Sequence, residues 1–314
     1  MRKLLSALLV AAVLAATKAA VAAEGGAPRL LFIGNSFTFA QGSAVRYFHA
    51  SRVTDLNGTG LGGVPALFNV LAEEAGLTYD VFLETEPGSG LEFHLVNRQA
   101  VLDQPWDLVV MHGQSTLDFE RPGDPAKLVR SSRELGEWLQ QRQSEVGIFL
   151  LATWARADQT YPATGTWAGR SIAAMAEDVR RAYDLAATST PNLRAVIPVG
   201  EAWTRAMEDG LADANPYDGV AAGQLNLWTY DHYHASAAGS YLEALVVFGT
   251  VTGVDPLSLG SGECAGFELG FSAQQTVALQ QVASATLAGE GLSLHPVSGG
   301  LVDDKPKPCA ALLP

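Results

Sequence analysis

The chain is poor in basic side chains and in sulfur. Against 33 Asp and Glu it carries only 20 Lys and Arg, a formal net charge of -13. Nucleic acid and anionic membrane both select basic surface, so this deficit excludes them as expected partners. Two cysteines occur, Cys264 and Cys309, and no CxxC spacing. They make a poor metal or redox site, which leaves a single Cys264-Cys309 disulfide or two unpaired thiols. No internal repeat is visible, and after the N-terminus no apolar run is long enough to span a membrane. The one conspicuous run, Leu4 to Ala16, falls short of the roughly 20 residues a bilayer needs and is closed by Lys18.

That run has Arg2 and Lys3 before it and Ala20, Val21, Ala22 and Ala23 after it. The pattern is that of a signal peptide over residues 1–23, cut after Ala22 or Ala23. Export to the periplasm or beyond follows. Cleavage removes Arg2, Lys3 and Lys18 and no acid, so the formal charge becomes -13 - 3 = -16. The rest, 24–314, is 48% hydrophobic over the full chain and reads as one large domain with a C-terminal extension from about 254 to 314.

Strand-like and helix-like stretches alternate. Arg29 to Ile33, Tyr79 to Leu83, Leu108 to Met111, Val146 to Ala152 and Ala195 to Val199 are short apolar runs rich in Val, Ile, Leu or Phe. Helical patterns cover Val64 to Ala75, Ala126 to Gln143, Ser171 to Ala187 and Ala237 to Thr252, with another from Ser272 to Leu287. Near-continuous apolar strands separated by amphipathic helices predict a parallel sheet of about five strands covered on both faces, a three-layer α/β/α sandwich of flavodoxin-like character. Ligands of such sheets collect at the carboxyl ends of the strands. Residues 41–63, "QGSAVRYFHASRVTDLNGTGLGG", interrupt the alternation as either a lid or a surface excursion.

In "LLFIGNSFTFAQG" the first strand gives way to Gly34, Asn35 and Ser36. Such a trio is ordinary turn chemistry. A serine there becomes a nucleophile only if a base takes its proton and a third group orients the base. Two of the six histidines sit in "YDHYHASAAGSYLEAL", beside Asp231 and just before a helix. Asp231-x-x-His234 lets one tight turn supply both base and orienter. Helix capping by Asp231 and a partly buried His234 are the structural alternatives. His232 and His234 alternate as a metal pair would, but no clear third ligand accompanies them.

"FIGNSFT" resembles the first block of the SGNH (GDSL-like) hydrolase superfamily, and "DHYHASAAGSYLEA" is similar to its last. "EPGSGLEFH" resembles the glycine block, and "PWDLVVMHGQS" the strand and turn of the third block. The resemblance implies a cofactor-free and metal-free ester hydrolase with Ser36 as nucleophile, His234 as base and Asp231 as orienter. Its oxyanion hole would use the backbone N–H of Ser36, that of Gly88 (or Gly90, if the block is shifted) and a side-chain amide. Two departures stand out. Asn35 replaces the family's Asp, and Gln114 stands where an Asn is expected, with His112 as another residue that could face the site. The resemblance also implies small-acyl esters, acetyl above all, often on carbohydrate. Lipase-like or thioesterase activity on longer acyl chains, and a non-catalytic glycan-binding module, are the alternatives. Trp154, Trp167 and Tyr161 either stack on a sugar or pack in the core.

Overall fold

The computed structural model of the protein describes residues 26–298. The expected signal peptide and Cys309, and with it the expected disulfide, lie outside the described residues. Six strands form the middle layer: β1 (Arg29–Gly34), β2 (Thr54–Asp55), β3 (Asp80–Thr85), β4 (Leu108–Met111), β5 (Gly147–Ala152) and β6 (Leu193–Pro198). All pair in parallel, in the order β2-β3-β1-β4-β5-β6. The helices are α1 (Gly63–Glu74), α2 (Leu91–Asn97), α3 (Gln99–Leu102), α4 (Ala126–Gln140), α5 (Ala157–Thr160), α6 (Ile172–Ala187), α7 (Val199–Glu208), α8 (Ala237–Thr252), α9 (Cys264–Glu268) and α10 (Ala273–Gly289).

Successive strand side chains point to opposite faces. In β1, Leu30 and Phe32 enter the core shared with α1, α7, α8 and α10, while Leu31 and Ile33 enter the core shared with α4 and α6. All four are essentially inaccessible to water, each contributing about 1.5–3 kcal/mol by burial. This two-sided burial makes β1 read as an unbroken apolar run. Helix α8 buries 13 of its 16 residues, so it packs on nearly all sides and anchors the loop before it.

The expected α/β/α layering and flavodoxin-like order are present. Without β2, the sheet reads 2-1-3-4-5, and its connections diverge between β1 and β4. Ser36 follows β1, and His112 to Gln114 follow β4, so the segments singled out by sequence meet at the switch point.

Two details of the sheet differ from expectation. The sheet has six strands among the described residues, because the 41–63 connection contributes the two-residue β2 at the edge of β3. That connection is therefore docked on the sheet: Asn57 accepts from the Thr85 backbone N–H (2.9 Å) and donates to Glu84 (3.4 Å). The last strand ends at Pro198, and Val199 opens α7 without an intervening loop.

Candidate active site

Ser36 lies on a tight turn at the end of β1, where Gln41 N–H donates to the Ser36 carbonyl (3.0 Å). Gly34 precedes it with no room for a side chain, since an added Cβ would collide with Thr38 Oγ1 and His112 Nε2. The histidine loop is a tight hairpin closed by the antiparallel bridge Trp228–Ala235, with His232 in the left-handed region (φ 58°) at its tip. At its far end Ser236 caps α8, accepting from Gly239 N–H and donating to the Asn226 carbonyl.

Across 198 residues of chain these two turns meet. His234 Nε2 lies 2.9 Å from Ser36 Oγ, and His234 Nδ1 lies 2.7 Å from Asp231 Oδ2. The second Asp231 oxygen accepts from Thr229 Oγ1 (2.7 Å), Tyr233 N–H (3.0 Å) and His234 N–H (2.9 Å). Burial alone would raise the Asp231 pKa, but these donors outweigh it and hold the carboxyl at about 2. An ionised Asp231 accepts Nδ1–H, which leaves Nε2 as the acceptor facing the serine hydroxyl. Burial holds the His234 imidazole below its ordinary 6.5 despite the Asp231 carboxylate. His234 is thus neutral at neutral pH, the state a base requires.

Asn35 joins three loops. Its amide Nδ2 donates to the Ser89 carbonyl (2.9 Å) after β3 and the Gly113 carbonyl (3.2 Å) after β4, while Oδ1 accepts from Phe37 N–H (3.1 Å). A carboxylate could not donate either of the first two bonds, which gives the Gly-Asn-Ser departure a physical reason. Tyr183 adds a further pin, its hydroxyl accepting from Gly113 N–H at 2.9 Å.

Beside this centre a groove of about 430 Å³ is lined by Gly88, Gly90, Gln114, Phe93, Val96 and Phe119, among others. Gly88 is exposed in the left-handed region (φ 72°), and no described residue accepts its N–H. Nor does any described residue accept the Ser36 N–H. Gln114 Oε1 accepts from Thr116 N–H (2.6 Å) and Thr116 Oγ1 (2.7 Å), and no described residue accepts from its Nε2. Gly90, the second candidate, is the buried N-cap of α2 with the Glu92 side chain against it.

No protein-family model matches the chain, and no curated protein matches it in sequence. Solved structures do resemble it. A DUF4886 family protein from Bacteroides uniformis superposes with a TM-score of 0.54 at 18% identity, over 88% of this chain and 100% of that one. A candidate GDSL-like lipase from Parabacteroides merdae gives 0.50 at 16% identity, over 71% and 94%. The chain has the α/β fold of these proteins.

Other sequence expectations fare differently. His112 does not face the groove: it is buried under the Ser36 turn, its Nδ1–H donating to the Gly113 carbonyl and its Nε2 accepting from Thr38 Oγ1 (2.7 Å). Burial, reinforced by His94, holds its pKa at about 4, so it stays neutral. Both ring nitrogens of His234 are engaged by Ser36 and Asp231, which removes it from a metal pair with His232. Trp154 and Trp167 are buried and offer no face to a sugar. Tyr161 is half-buried, with its hydroxyl donating to the Ala214 carbonyl.

Trp154 instead supports the centre. Phe37 stacks on it at 4.0 Å, its far side stacks on Trp203 at 4.7 Å, and its Nε1–H donates to the Tyr233 carbonyl at 3.1 Å. The ring of Tyr233 lies 3.8 Å from that of His234, and the Arg156 guanidinium covers Tyr233 at 3.8 Å. Arg156 is fixed in turn by a bidentate pair with Asp158 and a bond to Ser115. Sequence reasoning missed Arg156 and Asp158. Their only signal was position, just beyond the carboxyl end of β5.

Proposed function

We propose that this chain is an exported serine hydrolase of carboxylic esters, of the SGNH type, working through an acyl-enzyme. The observation that carries the reading is the Ser36–His234–Asp231 relay at 2.9 and 2.7 Å, beside unclaimed donors on Ser36, Gly88 and Gln114. Ser36 Oγ attacks the ester carbonyl as His234 Nε2 takes its proton, and Asp231 stabilises the imidazolium that forms. The three donors meet the developing oxyanion, an interaction that favours the tetrahedral state over the ester. His234 then returns the proton to the departing alkoxide. Water deacylates Ser36 by the same steps in reverse order, giving the carboxylic acid and free enzyme.

For the substrate we favour small-acyl esters, acetyl above all, on a neutral carbohydrate. The net charge of -16 after cleavage repels anionic polymers at long range. A second reading, longer acyl esters, is favoured by one observation: Phe119 and Val96, 79% and 75% exposed, flank the groove beside Gly88 and Gln114. Among the described residues no helix is long and apolar enough to cross a membrane. Export also frames the expected Cys264-Cys309 bridge, which intact mass before and after reduction tests.

The test of function compares wild type with Ser36→Ala on p-nitrophenyl acetate and octanoate and on acetylated xylan, glucomannan and peptidoglycan. Acetate release by wild type alone supports the first reading. Preference for octanoate moves the assignment to the second, and no turnover of any ester refutes both.

A further inference from the structure

A second Ser–His–acid array lies behind the groove, and the mechanism above does not use it. Glu84, at the end of β3, and His94, on α2, are both fully inaccessible to water. His94 Nδ1–H donates to Glu84, and His94 Nε2 lies 3.1 Å from Ser89 Oγ. The Ser89 hydroxyl also reaches the Glu86 carbonyl at 2.9 Å. The charge of Glu84 is met further by Arg98 at 3.0 Å and Asn57 at 3.4 Å. A carboxylate at the end of a core strand is costly unless paired this fully.

The array is built to hold Ser89 still. The Ser89 N–H donates to the Glu86 carbonyl (3.3 Å), its hydroxyl joins His94 to Glu86, and its carbonyl accepts from Asn35. Every polar group of residue 89 is thus tied to a different part of the molecule or to its own turn. The residue just before it is Gly88, whose N–H has no acceptor among the described residues and whose built Cβ would touch nothing. Glycine in open space is the most mobile kind of residue, and a mobile donor gives little transition-state stabilisation. As a second nucleophile Ser89 is poorly placed: its proton already has the Glu86 carbonyl as acceptor, and the histidine and acid behind it are sealed from solvent.

We infer that Glu84, His94 and Ser89 form a clamp that positions the Gly88 N–H for the oxyanion, which makes His94 and Ser89 positioning residues. This inference rests on the esterase reading for its kinetic consequence. Removing an oxyanion-hole donor outright costs about 100- to 1000-fold in kcat, so loosening one is expected to cost about 10- to 100-fold.

The experiment takes Ser89→Ala, Ser89→Thr and His94→Gln in the full chain, with kcat and KM on p-nitrophenyl acetate, thermal unfolding, and a crystal structure of Ser89→Ala. The clamp predicts that Ser89→Ala lowers kcat about 10-fold or more with KM within about twofold, that Ser89→Thr recovers most of it, and that residues 86–90 shift or lose order. Because Ser89 is part-exposed, its alanine variant keeps the fold even if His94→Gln does not. Unchanged kcat in a folded Ser89→Ala, or residues 86–90 left in place, overturns the clamp. A wild type that hydrolyses no ester overturns the esterase reading instead, and the crystal structure then still decides the clamp.

Discussion

Replacing Asn35 by Asp gives the residue usual in the first block of the SGNH superfamily that the sequence resembles and changes the side chain by one atom. The structure predicts harm. Two donors are lost, to the Ser89 and Gly113 carbonyls, at a net cost of about 1 kcal/mol each. Gly113 O keeps the His112 Nδ1–H as a partner, whereas Ser89 O is left facing a carboxylate. Residue 35 is 3% exposed, and no basic side chain hydrogen-bonds to it. An uncompensated buried charge is worth about 3–5 kcal/mol when it cannot escape. A total of about 3–5 kcal/mol, moderated by partial protonation, lowers the melting temperature by roughly 6–20 °C for a domain of this size. Differential scanning calorimetry at neutral pH, with kcat on p-nitrophenyl acetate, checks it. Asn35→Ala removes the bonds without adding charge and is expected to be milder than Asp despite its poorer shape. If Asn35→Asp melts within about 1 °C of wild type with unchanged kcat, the bridging role assigned to the amide is wrong.

In its proposed role His234 acts as a neutral base, and it is held below 6.5, chiefly by burial, so the acidic limb of kcat/KM against pH should have its midpoint below 6.5; a midpoint above it contradicts the site's electrostatics. Asp231 is depressed to about 2 from its usual 3.8, so its stabilising contribution is complete above the usual value and is lost as pH falls through about 2. Solvent screening of this part-exposed carboxyl limits the effect to about 1 kcal/mol, and the stability gap between wild type and Asp231→Asn should close in that acidic window. Gly34→Ala should destabilise by about 1–3 kcal/mol and disturb Ser36, because the new Cβ displaces Thr38 or His112; unaltered unfolding and kcat would show that this packing is looser than described.

What could be read from the residues depended on how much local pattern each feature leaves. β1, β4 and β5 are buried on both faces, and their apolar runs announce them. β2 has two residues and no pattern to display. α7 follows Pro198 directly, so the strand expected from Ala195 ran into Val199 with no turn residue to stop it. α2 is seven residues long behind a glycine N-cap, too short for periodicity. At the candidate site, Ser36, Asp231 and His234 were legible as candidates because they sit in short turns beside a strand or a helix, and their meeting across 198 residues comes from α8, which follows the histidine loop and packs against α1. The Asn35 bridge, the Trp154 indole and the Glu84–His94–Ser89 clamp were not, since each depends on which atoms of distant segments face one another. One signal was present: a glutamate in the apolar strand "VFLET" needs a buried partner, and "GLEFH" offers one.

The most direct test of the account is fluorophosphonate labelling of the purified protein, read by intact mass and peptide mapping. Acceptance of a single adduct on Ser36, abolished in Ser36→Ala and slowed in His234→Ala, is the predicted result. Labelling that persists in Ser36→Ala, or ester hydrolysis by that variant at the wild-type rate, would contradict it.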